Sequence, residues 1–213
     1  MTAADPASTS SPTEAAASAP VPAALACGDT PRLRARTIAL VGLMGVGKTS
    51  VGKRLATALG LPFRDADEAI EAAAGRTISE IFADRGEAEF RAGERRVIAR
   101  LLDEPPHVLA TGGGAFAQPE TRALLKARSI TIWLRADIAV LARRVGRKDT
   151  RPLLSGKDPV AVLTALAEAR YPAYAEADLT VDTGQTSHAA TVDLVIAALR
   201  GHLDLQDRNG GAA

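Results

Sequence analysis

The sequence GLMGVGKT, residues 42–49, fits the pattern G-x-x-x-x-G-K-[ST]. The apolar run 37–41 before it predicts a buried strand, and the apolar residues of 49–59 after it recur at helical spacing. Glycines at these positions let successive backbone N–H groups point at phosphate oxygens, and a following helix adds its positive N-terminal end. Lys48 would reach the β- and γ-phosphates, and the Thr49 hydroxyl can bind Mg²⁺. The stretch therefore predicts a nucleotide phosphate-binding loop (P-loop). The alternative, a glycine-rich turn that binds nothing, is disfavoured by the strand and helix on either side.

Length and composition bound the class of protein. The 213 residues are enough for one α/β domain with a sizeable core. A net charge of +1 argues against a nucleic-acid partner, and no apolar run approaches the roughly 20 residues that a membrane span needs. The single cysteine, Cys27, excludes an internal disulfide and fits a reducing compartment. We therefore expect a cytoplasmic protein with no nucleic-acid or membrane partner.

The two ends of the chain differ in composition from its middle. Residues 1–31 are rich in Ala, Pro, Ser and Thr, with three acidic residues and no Lys or Arg. They lack the apolar periodicity that could offset the entropy of ordering, and they match neither a secretory nor a mitochondrial targeting pattern. We predict a disordered extension over 1–35, one domain over 36–202 and a frayed tail over 203–213.

Between these ends, short apolar runs alternate with helical patterns. This alternation predicts a three-layer α/β/α fold with a five-stranded parallel sheet. We expect strands at 37–43, 61–64, 107–110, 130–134 and 179–181, and helices at 49–59, 68–74, 78–84, 87–102, 120–127, 137–144, 159–169 and 188–199. Ligands in such sheets bind at the carboxyl ends of the strands, where the motifs below fall.

Two carboxylates follow the second predicted strand. Asp65 and Asp67 occupy alternate positions of an extended segment and so point the same way. Beside a phosphate loop, one could hold Mg²⁺ through water and the other could accept a proton from a substrate hydroxyl. The alternative is a solvated turn with a helix N-cap, which is the commoner use of Asp at such places. The neighbouring P-loop favours the chemical role.

Other candidate residues have both a structural and a chemical interpretation. Arg91 could form a surface ion pair with Glu87 or a fork for a substrate carboxylate, and spacing alone favours the ion pair. The segment TGGG, residues 111–114, predicts close approach of backbone to a ligand, with a flexible turn as the alternative. A basic cluster over 143–151 indicates a lid over ATP rather than a nucleic-acid surface. Arg170, in the segment RYPAY, could be a helix C-terminal cation with a proline stop after it. The three histidines have no partner at metal-ligand spacing.

These motifs together resemble those of the shikimate kinase family. The resemblance runs from about residue 37 to 199 and rests on segments in the family's order and spacing: GLMGVGKT, DADEAIE, GEAEFR, TGGGA, RPLL and ARYPAY. The first is common to many nucleotide-binding enzymes, whereas the others in this order are more specific. The resemblance implies a P-loop kinase fold with a mobile substrate region and a lid.

On the nucleotide side, the resemblance implies that six P-loop residues surround the ATP phosphates: Gly45, Val46, Gly47, Lys48, Thr49 and Ser50. Lys48 would lie at the transferred group and Thr49 on Mg²⁺, with Asp65 near the metal through water. Arg144 would lie near the adenine, and Arg151, in RPLL, would be the lid arginine on the phosphates. Where some members place a basic residue against the adenine, this chain has Gly184-Gln185-Thr186.

On the acceptor side, the resemblance implies that Asp67 binds the substrate hydroxyl that receives the phosphoryl group. Arg91 and Arg170 would hold the shikimate carboxylate, and the Gly113 backbone would help to fix the ring. This overturns the structural interpretation of both arginines.

From this resemblance we expect a monomeric enzyme that transfers the ATP γ-phosphoryl group to the 3-hydroxyl of shikimate, with Mg²⁺ as cofactor. Lys48, Asp67 and Arg151 are its predicted catalytic residues. One alternative is a gluconate-type sugar acid kinase, against which the two arginines and the glycine segment weigh. Another is a catalytically silent P-loop binding module, which should have lost Lys48, Thr49 or Asp67.

Overall fold

The computed structural model describes residues 30–145, 158–184 and 186–210. Its strands form one parallel sheet in the order β2-β3-β1-β4-β5, which confirms the predicted α/β fold. The strands are β1 Thr37–Val41, β2 Phe63–Asp65, β3 Val108–Ala110, β4 Ser129–Arg135 and β5 Leu179–Asp182. The helices are α1 Thr30–Leu33, α2 Lys48–Leu59, α3 Ala66–Ala74, α4 Ile78–Leu102, α5 Pro119–Arg128, α6 Ile138–Val145, α7 Pro159–Tyr174 and α8 His188–Gly210, with a 3₁₀ turn at Ala115–Ala117.

The central strand β1 is buried by helices on both faces of the parallel sheet. All five residues of β1 are buried, as in strands that have helices over both faces. It pairs with β3 on one side and with β4 on the other. One helical layer contains α2 and α8, which pack against each other, and the other contains α4, α5 and α7, which meet at the 3₁₀ turn. Among the described residues, no helix is long and apolar enough to cross a membrane.

Two helices bear on the sequence expectation. The element α4 is kinked at Gly86, whose φ of 75° is a conformation that favours glycine, so the break predicted between the helices at 78–84 and 87–102 is confirmed. α7 continues through Pro172 to Tyr174, so the predicted proline stop is wrong. A proline so near a helix end removes one backbone hydrogen bond, which the packing of Tyr174 offsets because that side chain is fully buried.

The domain also extends beyond its predicted limits at both ends. α1 lies within the segment expected to be disordered, and its Leu33 is only 1% exposed. The next residue, Arg34, donates a side-chain hydrogen bond to the Leu59 carbonyl at the end of α2. At the other end, α8 continues to Gly210, whereas the sequence predicted a helix over 188–199 and a frayed tail from 203. The burial of Leu33 in the core is a tertiary contact that local composition does not encode.

Candidate active site

A cavity of about 730 Å³ opens at the carboxyl ends of β1, β2 and β3. It brings together nearly all of the predicted site residues that the structure describes: Gly45, Gly47, Lys48, Thr49, Ser50, Asp65, Asp67, Arg91, Gly113, Arg144 and Arg170. Arg151 and the rest of the predicted lid, 146–157, lie outside the described residues, as does Gln185.

The P-loop wraps one side of this cavity because three of its glycines have left-handed backbone. Gly42, Gly45 and Gly47 have φ values of 136°, 82° and 99°. A Cβ at Gly42 would lie 2.5 Å from the Leu134 carbonyl oxygen, so this glycine also allows the loop to pass close to β4. The Lys48 ammonium donates to the carbonyl of Gly42 at 2.7 Å and to that of Leu43 at 3.1 Å. Two carbonyl groups of the loop therefore fix the position of the Lys48 side chain.

Val46 is the exception among the predicted P-loop residues. Its side chain is 1% exposed and belongs to the hydrophobic core. Its N–H donates to the Leu43 carbonyl within the loop at 3.4 Å. The Val46 side chain thus anchors the loop to the core, and the predicted contact of Val46 with ATP stays a prediction.

Thr49 and Asp65 meet beside the loop. The Thr49 hydroxyl donates to Asp65 Oδ2 at 2.8 Å, which joins the start of α2 to the end of β2. The other oxygen, Asp65 Oδ1, accepts from the Asp67 N–H at 3.0 Å and caps α3. The N-cap that the sequence offered as an alternative is therefore present together with a hydroxyl–carboxylate pair. Both oxygens of this pair are hard ligands of the kind that Mg²⁺ prefers.

Asp67 faces the cavity from the first turn of α3. Burial raises the pKa of its carboxyl, the negative charges of Asp65 and Glu71 raise it further, and Lys48 and Arg91 oppose these effects. A Cβ at Gly112 would lie 2.8 Å from Asp67 Oδ1, so the carboxylate reaches the glycine segment that follows β3. A carboxylate with a raised pKa in a cavity is suited to accept a proton.

Arg91 is held in the cavity by two glutamates. Its Nη1 donates to Glu94 Oε2 at 2.6 Å, and its Nη2 lies 3.3 Å from Glu87 Oε1. The Glu87 pair that spacing favoured therefore exists, but the Arg91 side chain is only 17% exposed, unlike a surface ion pair. The guanidinium also lies over the Phe90 ring, 5.0 Å from its centroid.

Glu94 is a residue of this site that the sequence did not single out. Its side chain is 1% exposed, and burial raises its pKa against the opposing effect of Arg91. A Cβ at Gly112 would lie 2.7 Å from Glu94 Oε1, so Glu94 and Asp67 approach the same glycine. The available signal was its position three residues after Arg91 on one helix, which places the two side chains together.

Arg170 and Tyr174 converge on one carbonyl group. Arg170 Nη1 donates to the Gly113 oxygen at 2.9 Å, and the Tyr174 hydroxyl donates to the same oxygen. The two donors lie one helical turn apart on α7 and fix the glycine segment against that helix. Burial raises the pKa of Tyr174 to about 12, so this hydroxyl stays protonated at physiological pH. The sequence did not identify Tyr174.

The nucleotide end of the cavity contains two further side chains. Arg144 Nη2, on α6, donates to the Gly184 carbonyl after β5 at 3.1 Å. His188, at the start of α8, also lines the cavity, although the sequence assigned it no role. The cavity thus has a P-loop end with basic side chains and an acceptor end with a carboxylate and two arginines.

Comparisons with known proteins agree with this geometry. A family model described as shikimate kinase matches residues 44–200. The shikimate kinase of Caulobacter vibrioides (strain NA1000 / CB15N) is 69% identical over 172 residues, covering 81% of this chain and 86% of that protein. A solved structure of shikimate kinase from Acinetobacter baumannii in complex with shikimate has a TM-score of 0.76 and 37% identity, covering 81% of this chain and 97% of that one.

A structure from another kinase class is also similar. The gluconokinase from Sinorhizobium meliloti 1021 has a TM-score of 0.57 and 20% identity, covering 82% of this chain and 98% of that one. At this identity, the likeness extends to the fold alone.

Proposed function

Because this chain belongs to the shikimate kinase family, we propose that it transfers the γ-phosphoryl group of ATP to the 3-hydroxyl of shikimate. The products are shikimate 3-phosphate and ADP, a step of aromatic amino-acid biosynthesis. The P-loop end of the cavity suits a nucleotide triphosphate, and the acceptor end suits a small carboxylated polyol.

One observation carries this proposal: each residue of the glycine segment 112–114 contacts a different acceptor-side group. Gly112 adjoins the Asp67 carboxylate, the Gly113 carbonyl binds Arg170, and a Cβ at Gly114 would lie 2.8 Å from Arg91 Cζ. Side chains on these glycines would displace the Asp67 carboxylate or one of the two guanidinium groups. The segment therefore spaces one carboxylate and two guanidinium groups around a compact substrate, and the N–H of Met44 in the P-loop lies close by.

Chemically, these residues act by positioning and by charge. Arg91 and Arg170 bind the substrate carboxylate, which orients the ring so that its 3-hydroxyl faces Asp67. Asp67 accepts the hydroxyl proton as the new oxygen–phosphorus bond forms and the bond from the γ-phosphorus to ADP breaks. Lys48 exchanges its contacts with the Gly42 and Leu43 carbonyls for oxygens of the transferred group, where it stabilises the developing charge.

The donor set of the site fits Mg²⁺. Among the residues that the structure describes, no group of three or more His, Cys, Asp or Glu could hold a metal ion by itself. Mg²⁺ is commonly bound by substrate phosphates, waters and one or two protein oxygens, which the Thr49 hydroxyl and, through water, Asp65 would supply. Bound there, Mg²⁺ would neutralise charge on the β- and γ-phosphates.

The remaining roles follow from the resemblance. Arg144 binds near the adenine, and Arg151 contacts the ATP phosphates from the lid. We also propose that the protein is a cytoplasmic monomer. Size-exclusion chromatography with light scattering tests the monomer, and a dimer mass would contradict it.

The test of the function is a comparison of acceptors. Coupled release of ADP is measured with shikimate, quinate, gluconate and nucleoside monophosphates, each with Mg·ATP. We expect kcat/KM for shikimate to exceed every other by at least about 100-fold, which corresponds to roughly 2.7 kcal/mol of differential transition-state binding. An open-chain acid reaches the two arginines but costs more entropy to hold in line with the γ-phosphate.

Two outcomes would contradict the proposal. Faster turnover of gluconate would move the protein to the sugar acid kinases. ATP binding without turnover of any acceptor would favour a silent binding module. Asp67→Asn serves as the control for the chemical step, because it keeps the shape of the side chain and should bind both substrates while losing most of kcat.

A further inference from the structure

His188 lines the cavity and has no role in the reaction described above. It is the first residue of α8, and its side chain is exposed to the cavity. The preceding residue, Ser187, accepts the Ala190 N–H on its hydroxyl at 3.1 Å and so fixes the start of the helix. A Cβ built on Gly47 would lie 3.4 Å from His188 Nε2. The imidazole therefore stands in contact range of the P-loop backbone, immediately before Lys48.

The charged groups that face His188 come from two other helices and are both cationic. Arg54 projects from α2 and Arg144 from α6, whereas on α8 itself the first acidic residue is Asp193, more than one turn further on. Partial desolvation lowers the pKa of His188, and the positive charges of Arg54 and Arg144 lower it further. The positive end of α8 acts in the same direction. The protein groups around this imidazole thus disfavour its protonated form.

A nucleotide reverses these electrostatics. The phosphates of ATP or ADP bring several negative charges to the P-loop, beside His188, where they oppose the effect of the two arginines on this imidazole. An anion near an imidazole favours its protonated form, and the protonated ring then has two N–H donors for phosphate oxygens.

We propose that His188 is a nucleotide-binding residue that contacts the phosphate end of ATP or ADP and takes up a proton as the nucleotide binds. This inference rests on the proposed function, because it takes ATP as the phosphoryl donor. It adds to the site a group that can gain a proton, beside the P-loop residue that precedes Lys48.

The test measures protons taken up when ADP binds. Titration calorimetry of the full chain with ADP is run at pH 6.5 in PIPES and in imidazole, whose ionisation enthalpies differ, so that the dependence of the binding enthalpy on buffer gives the proton uptake. Three proteins are compared: wild type, His188→Gln and His202→Gln. His202 lies on the same helix with its Nε2 2.9 Å from Gln206 Nε2 and does not line the cavity, so its substitution is the matched control.

We expect wild type and His202→Gln to take up more protons than His188→Gln, because titration of ADP itself is common to all three. We also expect His188→Gln to weaken ADP binding about fivefold at pH 6 and less than about twofold at pH 8. A fivefold loss is in the range for a partly exposed charge pair, and at pH 8 the imidazole carries no proton and so forms no such pair. His188→Asn is measured in parallel, so that the result does not depend on the folding of one variant.

Equal proton uptake by wild type and His188→Gln would overturn the inference, as would the same loss of affinity at both pH values. Both results leave shikimate phosphorylation intact and so leave the proposed function standing. Failure of the wild type to bind ADP at all would instead remove the proposed function and, with it, this inference.

Discussion

Tyr174→Phe separates the two donors that hold the glycine segment. The substitution removes the hydroxyl that donates to the Gly113 oxygen but keeps the ring, which packs against Trp133 with 5.9 Å between centroids and against Phe116 with 6.4 Å. The Gly113 carbonyl is not left unpaired, because Arg170 still donates to it at 2.9 Å. The cost should therefore be one hydrogen bond, about 0.5–1.5 kcal/mol of unfolding free energy. For a protein of this size, that is a fall of about 2–4 °C in Tm per kcal/mol.

The effect on catalysis should be selective. Without the Tyr174 hydroxyl, the Gly113 carbonyl accepts from Arg170 alone, so the carboxylate clamp is less ordered before shikimate binds. We expect the KM for shikimate to rise about 3- to 10-fold, up to the worth of one hydrogen bond, and the KM for ATP to stay within about twofold. Steady-state kinetics and thermal unfolding measure both effects. Because the hydroxyl is protonated throughout, the change should be the same at pH 6.5 and 8.5.

Tyr171→Phe is the matched control. Tyr171 lies on the same helix and stacks edge-on against Trp133 at 5.0 Å, but among the described residues no hydrogen bond involves its hydroxyl. We expect it to leave both KM values unchanged. An unchanged KM for shikimate in Tyr174→Phe, or an equal rise for both substrates, would refute the argument that Tyr174 orders the clamp.

Three further perturbations test other contacts. Burial raises the pKa of Glu94, so the contribution of this carboxyl to stability is present at low pH and is lost as the pH rises through its folded-state pKa. In urea titrations, Glu94→Gln should therefore gain stability relative to wild type as the pH is raised from 4.5 to 7. The exposed Glu89 is the control, and Glu89→Gln should show no such gain. Gly114→Ala should raise the KM for shikimate, because the new Cβ would displace the Arg91 guanidinium. The Tm should change little, because the backbone φ of −108° suits alanine. An unchanged KM would show that the position of Arg91 does not depend on the absence of a side chain at Gly114. Gly201→Ala, in a helical position with no atom within 4 Å of the new Cβ, should stabilise the fold by about 0.5–1 kcal/mol, and a lower Tm would contradict the helical assignment.

The sequence predicted the sheet well because its strands depend on local pattern. The strands β1, β3 and β4 are largely apolar runs, and the P-loop motif locates the first of them. The parallel arrangement follows from the alternation with helices. Helix ends were less predictable: α7 passes through Pro172 because Tyr174 is buried beyond it, and that burial depends on contacts with distant strands.

The sequence predicted the site residues that belong to a known motif. It did not predict those whose position in the site depends on tertiary packing. Lys48, Asp67 and Arg91 belong to recognisable segments. Glu94 lies just outside the segment GEAEFR, and Tyr174 lies in ARYPAY but was assigned no role; only the fold makes them buried partners of Arg91 and Gly113. Arg91 shows what spacing alone can predict. Its distance along the helix from Glu87 correctly indicates their ion pair, but it does not show that the Arg91 side chain is mostly buried.

The position of β1 at the centre of the sheet has a consequence for synthesis of the chain. Its two neighbours, β3 and β4, are both far downstream, so every pairing of the P-loop strand is long-range. After Val41 is made, the ribosome adds roughly 90 more residues before β4 is complete, which takes about 5–20 s at typical rates of elongation. Both edges of the buried strand β1 are open until β3 is made, and its β4 edge stays open for the whole of that time. Nascent chains of this enzyme should therefore depend on chaperones early, and β1 should become protected only after β4 has been made.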